Sequence, residues 1–496
     1  MLDLLFIPTA ILYLIVVGSL FIYGVNFFYL TYLTWRRGEQ RSEEITIEEW
    51  PVVTVQLPIY NELYVASRLI LAAAKLDYPR DLLEIQVLDD SDDETALLVA
   101  KQVAELCEQG INILHLHRRE RSGYKAGALM EGLHQARGEF LAIFDADFIP
   151  PADFLKRTIP HFYKDPGVGF VQARWGHVNR DYSVLTYLQS LSIDAHFMVE
   201  QFARSQNGYW FNFNGTAGIW RRQAMIDAGG WKAETLTEDL DLSYRAFFKG
   251  WRAVYLRDLE VPAELPVSFS AYRRQQQRWA RGSLECARKF LPQIWESAAP
   301  FSLKMEATLH LTGYVVHLLL FALVFLYPLI LVLSQRYSNL LTLFGIAFLF
   351  NATALAPTAF FAVAQQQLGH TWWKKVPAIL CISCLGAGMM VNTVWAALQV
   401  YTSRPGVFER TPKFGIRRRG EDWTRSRYQL RLDAIVYFEL LLALVNMGTV
   451  YMAVRAQNWL IAYYSLSFCL GLLFTSGMSI VQALAVQRRK RMATHG

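Results

Sequence analysis

Cysteine is scarce in this chain, five in 496 residues. A disulfide framework is therefore not implied. Cys381 and Cys384 form a CxxC, but inside an apolar segment with no partner pair, which reads as packing rather than zinc or redox chemistry. Charge is thin as well: 19% of residues are Asp, Glu, Lys or Arg, against 53% hydrophobic. The mean hydropathy is +0.18, apolar for a soluble chain of this size. No GxGxxG follows the first strand-like segment and no Walker A motif occurs, which argues against dinucleotide oxidoreductases and P-loop enzymes. Internal repeats and low-complexity tracts are also missing.

The apolar residues collect at the two ends. Residues 4–34 carry no charge and exceed the roughly 20 residues needed to cross a bilayer. That run is too long for a signal-peptide core and has no small-residue cleavage site after it, so it reads as a retained anchor. Further runs lie at about 307–333, 340–364, 376–400, 433–454 and 459–486. The net charge of +6 does not call for nucleic acid. The basic residues cluster beside the apolar runs ("WRRGEQR", "RPGVFERTPKFGIRRRGEDWTRSR", "QRRKR"), and the positive-inside rule accounts for them.

Between the ends, residues about 41–300 have globular composition and alternate strand-like with helix-like segments. Strands are expected in "VVTVQLPI" (52–59), "EIQVLDD" (84–90), "INILHLHR" and "EFLAIFDAD", with helices between them. That order predicts right-handed crossovers and an α/β fold with a mostly parallel sheet, whose ligand crevice lies at the carboxyl ends of the strands. The polar clusters "PIYNE", "DDSDD", "RRERSGYK" and "DAD" all fall at those ends. Any one of them could be a turn; four at one edge converge on a rim. Asp145 and Asp147, two apart at a strand end, can meet on a hard divalent cation that shares its shell with a diphosphate.

Two further constellations follow. In "TLTEDLDL", Thr237 stands as an N-cap, and Asp239 in the first helical turn either complements the helix dipole or serves as a general base. In "QQQRW", Gln275, Arg278 and Trp279 share a helix face at i, i+3 and i+4. They suit phosphate oxygens and a sugar or base platform, or an interfacial amphipathic helix.

Taken in order, Asp89 and Asp90, the DxD of Asp145 and Asp147, the TED ending at Asp239 and the QxxRW of Gln275, Arg278 and Trp279 resemble the processive family-2 glycosyltransferases. "QVLDDSDD", "GYKAGAL", "IFDADFIPPADFLKRTIPHF" and "FNFNGTAGIWR" are similar to the cellulose synthase-like mannan and glucan synthases. The likeness covers roughly residues 50–290. It implies a GT-A type nucleotide-sugar-binding domain. Tyr60, Glu62, Asp89, Asp90 and Lys125 would lie on the donor side, around the base. Asp145 and Asp147 would hold Mn²⁺ or Mg²⁺ on the diphosphate, with Gln275 and Arg278 beside it. Asp239 would deprotonate the acceptor hydroxyl. Asn214, Gly215, Thr216 and Trp279 would border the acceptor. "VFERTPK" resembles a gating loop of pattern FxVTxK, in which Phe408, Thr411 and Lys413 match and Arg410 replaces the usual Val.

The resemblance implies an inverting membrane enzyme that polymerises a β-linked hexose from a nucleotide sugar and passes the chain across the bilayer. UDP-glucose and GDP-mannose both stay open as donors, UDP-sugars being commoner in the wider family. A non-processive enzyme making a ceramide or diacylglycerol hexoside is the alternative. The expected organisation is an anchor (1–40), the catalytic domain (41–262), interfacial helices with QxxRW (263–303) and a C-terminal membrane domain (304–496) with a gating loop at about 401–415. The arginine-rich stretch after residue 400 favours the cytoplasm. Five spans are therefore expected, at 4–34, 307–333, 340–364, 433–454 and 459–486, with 376–400 interfacial or re-entrant. The catalytic domain and C-terminus would be cytoplasmic and the N-terminus outside.

Overall fold

The computed structural model describes residues 2–38, 47–335, 352–402, 409–425, 427–428 and 432–494. A seven-stranded sheet forms its soluble part, in the order β3-β2-β1-β4-β6-β5-β7. The strands are β1 (Val53–Ile59), β2 (Leu83–Asp89), β3 (Ile113–His117), β4 (Phe140–Ile143), β5 (Val168–His177), β6 (Gly218–Arg221) and β7 (Arg252–Ala263). β1 pairs in parallel with β2 and β4, and β2 with β3. β6 alone is reversed, antiparallel to β4 and β5.

Helices cover both faces of the sheet; one face of β1 and β2 is apolar, while on the other Thr54 and Gln56 donate to Glu84 and Gln86 at 2.6 and 3.0 Å. Val53, Val55, Leu57, Ile85 and Val87 pack on one side, with Leu69, Ile70 and Val99 from the covering helices Ala66–Ala73 and Thr95–Glu108. Leu129, Leu133, Ile143, Phe170 and Trp220 pack on the other. Each such buried side chain contributes about 1.5–3 kcal/mol, enough to hold the strand ends in register.

One strand is shorter than its sequence suggests. β4 stops at Ile143, and the chain turns so that the Phe148 N–H donates to the Asp145 carbonyl at 3.0 Å. The two aspartates therefore sit on a turn beyond the strand, not on its extended face, and their carboxylates go to different neighbours.

Five stretches of helix are long and apolar enough to cross a membrane among the described residues: Leu5–Arg37, Val315–Ser334, Trp372–Val400, Ile435–Arg455 and Trp459–Arg489. The expected span 307–333 begins later, since a separate helix, Phe301–Leu311, precedes it. Of the expected span 340–364, residues 340–351 lie outside the described residues; the rest forms Ala352–Leu355 and Ala356–Gln367. The segment 376–400, expected to be interfacial or re-entrant, falls within Trp372–Val400, which is long and apolar enough to cross, and divides into helices Val376–Gly388 and Met390–Val400. At the division Gly388 meets Gly471 so closely that a Cβ would stand 2.3 Å from the Gly471 carbonyl oxygen. Small residues permit that approach between apolar helices.

Candidate active site

A cleft opens at the carboxyl ends of β1, β2 and β4 and is closed by the helix Phe269–Glu296 and by residues 410–413. Of the residues the sequence singled out, Tyr60, Glu62, Asp90, Lys125, Asp145 and Asp147 line it. So do Asn214, Gly215, Asp239, Gln275, Arg278, Trp279, Thr411 and Lys413. Phe408 lies outside the described residues.

Two residues are not brought to it. The Asp89 carboxylate turns to the face that carries Ile85 and Val87, where Ser91 N–H donates to Oδ1 at 2.9 Å and His115 Nε2 lies 2.9 Å from Oδ2. Thr216 is buried behind the rim, its Oγ1 accepting from the Asp145 N–H at 2.8 Å. It shapes the turn from below.

Each carboxylate of the DxD carries a lysine. Lys125 Nζ lies 2.5 Å from Asp145 Oδ1, 3.8 Å from Glu238 Oε1 and donates to the Gly215 carbonyl at 2.9 Å. Lys413 Nζ lies 2.6 Å from Asp147 Oδ2. The Lys125 ammonium is thus at the carboxylates, rather than at the Tyr60 end of the cleft. Burial would lower its pKa, and the charges of Asp145 and Glu238 outweigh that and raise it. Burial pushes the Asp145 carboxyl up against the pull of Lys125. The two carboxylates are hard oxygen donors of the kind Mg²⁺ or Mn²⁺ takes, and an ion there would share them with the two lysine ammonium groups.

Asp239 opens the helix Glu238–Phe248. Thr237 occupies the N-cap position, but its hydroxyl makes no capping bond. Asp239 Oδ1 accepts from the Leu240 N–H at 2.8 Å. Its Oδ2 faces Gly215, where a Cβ would approach within 2.9 Å, and the φ of +78° at Gly215 is one that glycine adopts freely. Burial, then the neighbouring Glu238 charge, push the Asp239 carboxyl up to about 7, against Lys125. A carboxyl poised there can take a proton near neutrality.

Gln275, Arg278 and Trp279 reach the cleft from one face of a long helix, as their spacing predicts. Several residues were missed. Arg118 holds Asp90 through two bonds, 2.7 Å from Nε and 2.6 Å from Nη2, and Arg121 stacks 3.5 Å over the Tyr60 ring. Arg410, read only as a departure from a pattern, lies 3.0 Å from Glu62 and donates to the Tyr60 carbonyl at 3.1 Å. Arg118 and Arg121 stand in the rim cluster "RRERSGYK", but nothing in the sequence pointed to their partners or to those of Arg410.

Residues 51–282 match the family model Glycosyltransferase like family 2. This stretch, a little under half of the chain, is thus similar to family-2 glycosyltransferases. The chain is 46% identical over 277 residues to glucomannan 4-beta-mannosyltransferase 2 of Arabidopsis thaliana, covering 53% of this chain and 52% of that protein. It is also 46% identical over 251 residues to glucomannan 4-beta-mannosyltransferase 1 of Cyamopsis tetragonoloba, covering 50% and 48%. It spans about half the length of the curated relatives it matches. Among solved structures, the mannosyltransferase PcManGT from Pyrobaculum calidifontis, in complex with GDP-Man and Mn²⁺, superposes with a TM-score of 0.52 at 22% identity. That match covers 79% of this chain and 100% of that one, and shows a shared fold.

Proposed function

We propose that the protein is an inverting, processive membrane hexosyltransferase that builds a β-linked polysaccharide, a mannan or glucomannan, from GDP-mannose. The observation that carries this is the convergence of Asp145, Asp147, Asp239, Gln275, Arg278 and Trp279 on one cleft beside apolar helices. The mannose comes from the relatives' names, and shifts the donor from the UDP-sugar that the wider family suggests.

Donor and acceptor meet between the DxD turn and the start of the helix Glu238–Phe248. Asp145 and Asp147 would hold Mn²⁺ or Mg²⁺, which when bound neutralises the diphosphate leaving group. Arg278 and Gln275 face the same place and add donors to the phosphate oxygens. Asp239 Oδ2, left free of the backbone bond that Oδ1 accepts, takes the proton of the acceptor hydroxyl. The new bond forms between that oxygen and the anomeric carbon as the bond to the diphosphate breaks on the opposite side, which inverts the configuration. One carboxylate suffices because a cation-neutralised diphosphate leaves without an acid. Trp279 offers the acceptor sugar a flat face and Asn214 a polar one. The lysine- and arginine-rich flanks support a cytoplasmic catalytic domain, an outward N-terminus and export of the chain through the membrane helices.

The test is purified protein in lipid nanodiscs with radiolabelled GDP-mannose and, separately, UDP-glucose. The expected product from GDP-mannose resists organic extraction and is digested by a β-mannanase, and EDTA or Asp147→Ala abolishes it. An extractable glycolipid would replace this reading with the non-processive one. Full activity in EDTA would remove the metal role.

A further inference from the structure

A second cluster of metal-ligating side chains lies behind the nucleotide rim, outside the cleft. Asp89 ends β2. His115 and His117 are two apart on β3, so both imidazoles project to one face of the sheet. The parallel register sets Asp89 opposite His117. His115 Nε2 lies 2.9 Å and His117 Nδ1 3.3 Å from the same oxygen, Asp89 Oδ2. All three ligand atoms fall within 4.8 Å of one another. In a tetrahedral site with bonds of about 2.0–2.1 Å, neighbouring ligand atoms stand roughly 3.3 Å apart. The two separations from Asp89 Oδ2 match that edge to within a few tenths of an ångström, and the imidazole nitrogens lie within 4.8 Å of each other.

The surroundings suit an ion. The Asp89 side chain is fully buried, and its other oxygen is fixed by the Ser91 N–H, which orients the free one. Burial would raise its carboxyl, and the bonds from His115 and Ser91 overcome that and hold it below its ordinary value. The ligand set therefore carries one negative charge. β3 is an edge strand and His117 is exposed, so an ion has a path in and water can complete its shell. Nε2 of His115 and Nδ1 of His117 already face Asp89 Oδ2, so small ring movements would turn them to a shared ion. Two imidazoles and one carboxylate favour borderline cations over Mg²⁺ or Mn²⁺.

We propose that Asp89, His115 and His117 form a transition-metal site of the Zn²⁺ class, separate from the carboxylate pair Asp145 and Asp147. The next residue along each strand, Asp90 and Arg118, makes the bidentate pair at the edge of the cleft. An ion here pins β2 to β3 directly behind that pair and stiffens the rim. The site stands whether or not the transferase reading does.

Cobalt is the probe. Full-length protein in detergent, its tag removed and chelator-stripped, is first saturated with Mg²⁺ and then titrated with Co²⁺. The wild type is expected to develop tetrahedral ligand-field absorption that saturates at one equivalent and is displaced by Zn²⁺. Asp147→Ala should keep it. His117→Ala and His115→Gln should weaken Co²⁺ binding by about tenfold or more. In parallel, Zn²⁺ should raise the thermal midpoint of the wild type and leave that of His117→Ala, an exposed position, unchanged. No absorption in the wild type, or equal absorption and equal Zn²⁺ stabilisation in His117→Ala, overturns the site and leaves the imidazoles as hydrogen-bond donors to a buried carboxylate.

Discussion

Asp145 and Asp147 pair with Lys125 and Lys413, and Glu62 and Asp90 with Arg410 and Arg118, whereas Asp239 shows no such ion pair among the described residues. Its raised pKa has a consequence with a definite sign. The base works only when ionised, so kcat/KM should rise with pH through about 7 and level off above. Asp239→Asn keeps the shape and the bond from the Leu240 N–H to Oδ1. It should keep donor binding and lose about 10²–10⁴-fold in transfer. Steady-state rates across pH, with donor affinity by calorimetry, check both. A variant with more than about a tenth of the wild-type rate would move the base elsewhere.

At the scale of elements, the helix Phe269–Glu296 joins the cleft to the apolar bundle. Its Arg273 is buried and pairs with Glu439 on the helix Ile435–Arg455 through bonds of 2.6 and 3.0 Å. Arg273 also donates to Ser479 at 3.2 Å, and Asn392 donates to the Arg273 carbonyl at 3.1 Å. Four helices thus meet at one charged pair, five residues before Arg278. Removing one partner of such a pair leaves a buried charge and costs about 3–5 kcal/mol, whereas replacing both with apolar residues is far milder. Glu439→Ala should lower the thermal midpoint in detergent strongly, and Arg273→Met with Glu439→Leu should recover most of it. A double variant as unstable as the single one would show that the charges themselves are needed.

For the whole molecule, the segment from 409 onward closes the cleft from a distance of some 260 residues in the chain: Lys413 to Asp147 is a separation of 266. The Phe414 and Gly415 N–H groups donate to the Glu264 carboxylate at 2.9 and 3.0 Å, and Phe414 stacks on Trp423. Arg410 ties the same segment to Glu62. Lys413 therefore competes with any cation for Asp147. Lys413→Met should tighten Mn²⁺ binding in the absence of donor, seen by electron paramagnetic resonance, while turnover falls. Unchanged Mn²⁺ affinity would mean the lysine does not guard the site. The same segment must reach the catalytic side of the membrane. Single cysteines at Ser403 or Ser426, in a cysteine-free background, should resist an impermeant thiol reagent in intact cells; labelling there would overturn the cytoplasmic assignment.

Much of this was legible without coordinates because it is local. Alternating apolar segments determined the order of strands and helices. The rise of hydropathy at both ends marked the membrane helices, and spacing alone put Gln275, Arg278 and Trp279 on one helix face. The carboxyl-end rule then gathered Tyr60, Asp90, Asp145 and Asp147 at one rim. What the tertiary structure decided is side-chain direction and long-range partnership. Leu88, Asp89 and Asp90 are consecutive, yet the pleat at the end of β2 sends Asp89 away from the cleft to His115 and His117 while Asp90 meets Arg118. β4 ends before its aspartates because the chain turns over Asp145–Phe148. Lys125 and Lys413, far apart in the chain, arrive at neighbouring carboxylates. Periodicity reports which face of an element a residue occupies; only packing decides which distant residue it will meet there.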